Sequence, residues 1–247
     1  MKRRILTLST LALCLFCHCY IKAATISDKT AAEIAYEMMP GWNLGNTLES
    51  GNGNSQNYKN SGLSTETSWQ KTPTTKAVID YVKAQGFRSV RIPCAWVMGH
   101  ISDATTYTID PQWMARVKEV VDYCIDNGLY VVINDHWDGG WLQENISATG
   151  TAKEKNKEVL TAIWKQIAEY FCDYDEHLLF AGLNEPDCGD QNKTNALQKY
   201  EQAFIDAVRA TGGNNAKRTL VVQGPSTNID NTDKWFEIGR ASCRERV

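Results

Sequence analysis

The side chains best suited to catalysis are an amide and a carboxyl group that are adjacent in Asn184-Glu185-Pro186. The apolar run at 178–183 precedes them and predicts a strand that ends where the polar pair begins. A carboxylic acid sheltered at a strand end can keep its proton at neutral pH and donate it, and the neighbouring amide can hydrogen-bond a hydroxyl group. A solvent-exposed glutamate in an ordinary turn is the alternative, and this motif alone leaves both open.

Polar side chains also lie at or just past the ends of other predicted strands, at Asn43, Arg91 and His136. An arginine beside a carboxylate keeps that carboxylate ionised, although Arg91 could equally belong to an ordinary buried ion pair. His136 lies between Asp135 and Asp138, which could suggest a metal site. Metal sites in barrels gather more ligands from several strands, so we predict no metal here.

The elements that must position these residues alternate along the chain. Predicted strands occupy 41–44, 89–92, 130–133, 178–181 and 220–222, and predicted helices occupy about 72–86, 110–128, 153–171 and 194–210. Apolar strands that alternate with helices predict a parallel sheet, in a doubly wound fold or a (β/α)8 barrel. Polar residues at the ends of several strands favour the barrel, and the sequence contains no glycine-rich nucleotide-binding loop.

The spacing of the units predicts that the barrel is incomplete. Successive strand ends are about 45 residues apart, so eight units would extend to about residue 360. We therefore predict an α/β fold, a (β/α)8 TIM barrel truncated after about strand five, over residues 24–238. The last segment, 239–247, is basic and lacks an apolar period, which predicts a non-native tail.

Residues 1–23 have the pattern of a secretory signal peptide, because a Lys-Arg-Arg start precedes an apolar run and a small-residue pair. This predicts a secreted, periplasmic or cell-surface protein, and Cys17 leaves a lipoprotein as the alternative. No later stretch is long and apolar enough for a transmembrane segment. The formal net charge of −3 becomes more negative without the basic leader, which argues against nucleic-acid binding. The remaining cysteines lack zinc or haem spacing, so we predict no cofactor.

Five segments, taken together, resemble glycoside hydrolase family 5, the cellulase family, and its bacterial endoglucanase-like members. They are GWNLGNT at 41–47, ETSW at 66–69, GFRSVRIP at 86–93, NDHW at 134–137 and GLNEP at 182–186. Each segment alone is a weak signal. Five of them in order make the resemblance specific, and it implies a barrel enzyme that hydrolyses β-glycans.

The resemblance implies a role for each polar strand-end residue. It implies that Glu185 is the general acid/base, that Asn184 donates to the sugar 2-hydroxyl, that Arg91 is the charge partner of the nucleophile and that His136 orients sugar and nucleophile. Asn43 is expected to bind substrate. Retaining enzymes need a second carboxyl group about 5 to 5.5 Å from the acid. The family's nucleophile ends strand seven, near residue 315 by the spacing of about 45 residues, so it is expected to be absent from this chain.

Three tryptophans follow predicted strand ends, where a flat indole can stack on a pyranose ring. We therefore expect Trp96, Trp137 and Trp141 to bind substrate, whereas Trp113 and Trp164 occupy inward helical positions and should belong to the core.

The expected activity is hydrolysis of internal β-1,4 linkages of glucan with a retaining mechanism, although the fragment itself is expected to be inactive. Mannan, xyloglucan or xylan as substrate, or a non-catalytic carbohydrate-binding fragment, remain alternatives.

Overall fold

The computed structural model describes residues 25–51 and 60–236. The predicted signal peptide and the predicted tail at 239–247 lie outside the described residues. The strands are Gly41–Asn43 (β1), Ser89–Ile92 (β2), Ile101–Asp103 (β3), Thr108–Ile109 (β4), Tyr130–Asn134 (β5), Leu178–Ala181 (β6) and Leu220–Val221 (β7). The α-helices are Ala31–Glu37 (α1), Lys76–Ala84 (α2), Pro111–Ile125 (α3), Gly150–Tyr170 (α4), Gln191–Ala210 (α5) and Ile229–Trp235 (α6).

Five strands form one parallel sheet in the order β1-β2-β5-β6-β7, with β1 and β7 at its two ends. The strands therefore follow one another in chain order, and helices connect the pairs from β1 to β7, as the sequence predicts. This is the succession of the first five units of a (β/α) barrel. The parallel α/β fold predicted from the alternation of elements is confirmed.

The core lies between the sheet and the helices on its outer face. All four residues of β6 are buried, because a strand in such a sheet is covered on both faces. Trp113 and Trp164 are fully buried, which confirms their prediction as core residues. The Trp164 indole lies 4.6 Å from the Phe204 ring on α5, between centroids, and its Nε1 donates to the Gly182 carbonyl at 3.1 Å. The core thus reaches the segment that leads to Asn184.

Helix α2 begins later than the sequence predicts, at Lys76 instead of near Thr72. A buried ion pair explains the difference. The Glu66 carboxylate accepts from the Thr74 backbone N–H at 2.7 Å, and the Arg116 guanidinium donates to the Thr74 carbonyl at 2.6 Å and to Glu66 at 2.8 Å. In a helix that began near Thr72 the Thr74 carbonyl would accept from a later backbone N–H, whereas here it accepts from Arg116.

The short hairpin β3–β4 and helix α1 were not predicted. Each is too short to carry a hydrophobic period, and α1 is defined instead by a capping box between Thr30 and Glu33. In the part of the chain that the structure describes, no helix has the length and apolar character needed to cross a membrane.

Candidate active site

The guanidinium of Arg91 contacts three other predicted site residues at the carboxyl-terminal edge of the sheet. Its Nη1 donates to Asn43 Oδ1 at 2.9 Å, and its Nη2 donates to Asn184 Oδ1 at 2.6 Å. The same Nη2 lies 3.3 Å from Nδ1 of His136. Side chains from the ends of β1, β2, β5 and β6 therefore form one connected polar cluster.

Backbone contacts beyond the strand ends hold this cluster in place. Asn43 and Arg91 are direct register partners in β1 and β2. The backbone N–H of His136 donates to the Cys94 carbonyl at 2.9 Å, and the Cys94 N–H donates to the side chain of Asn134 at 3.3 Å. These bonds tie the loop after β2 to the loop after β5, so the arginine and the histidine are fixed relative to each other.

The charge states of the cluster follow from its burial. Burial, and secondarily the charge of Arg91, lowers the pKa of His136 to about 4, so the imidazole is neutral at ordinary pH. Its Nδ1 faces two donor groups, Nη2 of Arg91 and Nδ2 of Asn134, both at 3.3 Å. Because Nδ1 accepts, the proton resides on Nε2, which makes Nε2–H the donor of this ring. Burial lowers the pKa of Arg91, while the nearby charges of Glu49 and Glu185 oppose that effect.

Glu185 lies beside the cluster, and its backbone N–H donates to Oε1 of Gln143 at 3.2 Å. The sequence left a sheltered carboxyl group and an exposed glutamate open, and in the described structure the side chain is exposed.

Two of the three tryptophans predicted to bind substrate are core residues. Trp96 is 0% exposed and donates from Nε1 to the Asn134 carbonyl at 2.9 Å, and Trp141 is only 7% exposed. Both expectations are wrong, because position after a strand end does not reveal whether the loop folds back onto the core.

A buried carboxylate explains the inward turn at Trp96. Asp138 accepts from the backbone N–H groups of Trp96, Val97 and Met98 at 3.0, 2.7 and 2.5 Å. Burial is the main cause that raises the pKa values of Asp138 and its neighbour Asp135. The pKa of Asp135 is raised well above its usual range. The two carboxyl groups share a side-chain hydrogen bond. This pair therefore has a structural role, and the described residues contain no group of three potential metal ligands.

Trp137 is partly exposed and pairs with a tryptophan that sequence reasoning did not select. The ring centroids of Trp137 and Trp69 are 6.5 Å apart with an interplanar angle of 36°, and Trp69 is 44% exposed. Trp137 Nε1 donates to Glu144 at 2.9 Å, and Trp69 Nε1 donates to the Gly51 carbonyl at 3.0 Å. Since both N–H groups are engaged, both rings have fixed orientations. The only sequence signal for Trp69 was its place in the ETSW segment.

Gln143 is the second site residue that the sequence did not reveal. It follows the short 3-10 helix Asp138–Gly140 and contacts the segment that contains Asn184 and Glu185. No motif marks it, because its importance comes from contacts with residues about 40 positions away in the chain.

Comparison with known proteins gives a consistent result. The model of the family described as "Cellulase (glycosyl hydrolase family 5)" matches residues 51–237. Endoglucanase A of Ruminococcus albus is 40% identical over 210 residues, which cover 81% of this chain and 54% of that protein. Endoglucanase A of Paenibacillus barcinonensis is 41% identical over 221 residues, which cover 85% of this chain and 52% of that protein. The chain thus spans about half the length of these curated relatives.

Solved structures of the same family share the fold. A xyloglucan-specific beta-1,4-glucanase from a ruminal metagenomic library, in complex with XXLG, is 52% identical with a TM-score of 0.75, covering 84% of this chain and 55% of that one. A broad-specificity endoglucanase from Ruminococcus champanellensis with bound cellotriose is 41% identical with a TM-score of 0.75. The match covers 82% of this chain and 60% of that one. The barrel-type fold predicted from the sequence is therefore confirmed.

Proposed function

The chain belongs to glycosyl hydrolase family 5, and from this premise we propose that it carries the acid/base half of a retaining endo-β-1,4-glucanase. The observation that supports this proposal most strongly is the connected cluster of Asn43, Arg91, His136 and Asn184 beside Glu185. Four separate strands contribute to it, and each contributed side chain has a use in glycoside cleavage. The leader at 1–23 supports export as part of the same proposal.

In the proposed mechanism Glu185 protonates the leaving oxygen while a second carboxylate attacks the anomeric carbon. The glycosyl–enzyme ester that forms is then hydrolysed by water, from which Glu185 removes a proton. We propose that the attacking carboxylate is supplied by strand seven of the barrel, outside this chain. Arg91 keeps that carboxylate ionised, and the neutral His136 donates from Nε2 to a sugar or carboxylate oxygen.

β-1,4-Glucan is the proposed substrate because curated relatives at about 40% identity are endoglucanases. The tilted pair of Trp69 and Trp137 supports it, since two partly exposed indoles offer apolar faces to consecutive pyranose rings. Xyloglucan is the second candidate, because a 52% identical neighbour is described as xyloglucan-specific. Mannan, xylan and carbohydrate binding without turnover are weaker alternatives.

Oligosaccharide binding tests this function and the tryptophan pair together. In the complete gene product, meaning the polypeptide encoded by the whole source gene, Trp137→Ala and Trp69→Ala should each weaken cellohexaose binding by about 1 to 3 kcal/mol, because each removes one aromatic face. Titration calorimetry in a Glu185→Gln background measures this without turnover.

Trp235→Ala on α6 is the matched control, because it removes another partly exposed indole whose ring contacts Lys234. The affinity of the Trp235→Ala variant for cellohexaose should stay unchanged. Unaltered affinity in both the Trp137→Ala and the Trp69→Ala variants would show that these rings do not bind the substrate. Binding of mannohexaose in preference to cellohexaose and xyloglucan oligosaccharides would contradict the glucan assignment.

A further inference from the structure

We propose that Gln143 is a positioning residue that fixes the amide orientation of Asn184 and so determines whether the sugar 2-hydroxyl is recognised. The proposal rests on the proposed function, in which Asn184 contacts that hydroxyl group. Gln143 itself does not have to touch the substrate.

Gln143 holds the acid-bearing segment at three points. Its side-chain Oε1 accepts from Nδ2 of Asn184 and from the backbone N–H of Glu185, both at 3.2 Å. Its backbone carbonyl accepts from the N–H of Asp187 at 3.0 Å. One residue of the loop after β5 therefore binds three of the four residues from Asn184 to Asp187.

These contacts determine the orientation of two amides that could otherwise flip. The backbone N–H of Glu185 can only donate, so the oxygen of the Gln143 amide must face it. That oxygen also faces Asn184, so the NH2 group of Asn184 must point towards Gln143. At the other end of Asn184, the Arg91 guanidinium, which has donors only, requires the oxygen Oδ1 at 2.6 Å.

A flipped Asn184 would be mispaired at both ends. Its NH2 group would meet the guanidinium, and its oxygen would meet Oε1 of Gln143. Asn184 is only 8% exposed, so water can do little to repair the mismatch. In the observed orientation Gln143 uses one hydrogen of Nδ2, and the second hydrogen remains to donate to a sugar hydroxyl.

The loop that carries Gln143 is itself anchored. Trp141 and Leu142 immediately before it are buried. Nδ2 of Asn145 donates to the carbonyls of Gly140 and Trp141, both at 3.1 Å. Because the loop is held on both sides of Gln143, its amide oxygen is preorganised when substrate arrives.

The test compares two substrates with Gln143→Met in the complete gene product. Methionine has a similar length but no strong acceptor, so Asn184 loses one of the two partners that orient its amide and keeps only Arg91. On an aryl β-cellobioside, kcat/KM should fall about 10-fold to 100-fold, the range expected for a lost buried hydrogen bond. On the counterpart lacking the 2-hydroxyl at the cleaved sugar, kcat/KM should fall less than about 3-fold. The ratio of the two kcat/KM values, which measures discrimination by the 2-hydroxyl, should therefore fall in the variant.

Gln143→Glu keeps acceptor oxygens at the same position and should preserve most of the discrimination. If the methionine variant does not fold, Gln143→Ala removes the same acceptor with a smaller side chain. Equal slowing of both substrates in the folded variants would show a purely structural role and overturn the proposal, as would unchanged discrimination. If the unsubstituted enzyme hydrolyses neither substrate, the proposed function fails and this inference fails with it.

Discussion

Glu185→Gln should slow hydrolysis of cellohexaose by the complete gene product by about two to four orders of magnitude, the usual contribution of a general acid. The glutamine amide cannot donate a proton, so a sugar alkoxide would have to leave unprotonated. Initial rates measured by chromatography of the products give the comparison directly.

Two controls separate loss of the acid from general damage. An aryl cellobioside with a good leaving group needs no protonation, so its pre-steady-state burst should be largely preserved in the variant. Asp187→Asn changes an exposed carboxylate in the same segment, which pairs with Lys193 at 3.1 Å, and it should keep most of the activity. Equal loss on both substrates would assign Glu185 another role.

The 247-residue chain by itself should show no detectable glucanase activity, because we propose that its attacking carboxylate lies outside it. Three carboxyl groups in loops of the chain are the candidates to replace it, and each already has a partner. Glu49 is buried and accepts from the backbone N–H groups of Asn46 and Thr47. Glu144 accepts from Trp137, and Asp187 pairs with its lysine.

Parallel assays of the chain and of the complete gene product on carboxymethylcellulose and xyloglucan measure this difference. We expect turnover only in the complete product. Turnover by the chain would contradict the assignment of the nucleophile to an absent strand. In that case Glu49→Gln and Glu144→Gln in the chain would identify which carboxylate had taken its place, since the correct variant would lose the activity.

The polar cluster could be predicted from the sequence because short segments are enough to recognise the strand ends that carry it. Each of Asn43, Arg91, His136 and Asn184 lies near or just past the carboxyl end of a strand, and parallel strands bring their carboxyl ends to one edge. Mainly buried residues form β2, β5 and β6, and their apolar runs can be recognised without reference to the rest of the chain. The assembly of the cluster could therefore be inferred before any contact was known.

The loops could not be predicted in the same way, because long-range contacts decide their course. Trp96 turns inward since Asp138, about 40 positions later, accepts three backbone N–H groups around it. Trp69 and Trp137 become a pair only through the relative placement of two loops. Gln143 carries no local signal either, because its three partners belong to another strand end.

The most direct test of the central claim is the anomeric configuration of the first product that the complete gene product releases from cellohexaose, followed by proton NMR. A retaining mechanism with Glu185 as acid/base predicts that the β-anomer appears first and that the α-anomer follows only by mutarotation. Initial release of the α-anomer would show direct attack by water and would contradict the proposed pairing of Glu185 with a nucleophilic carboxylate.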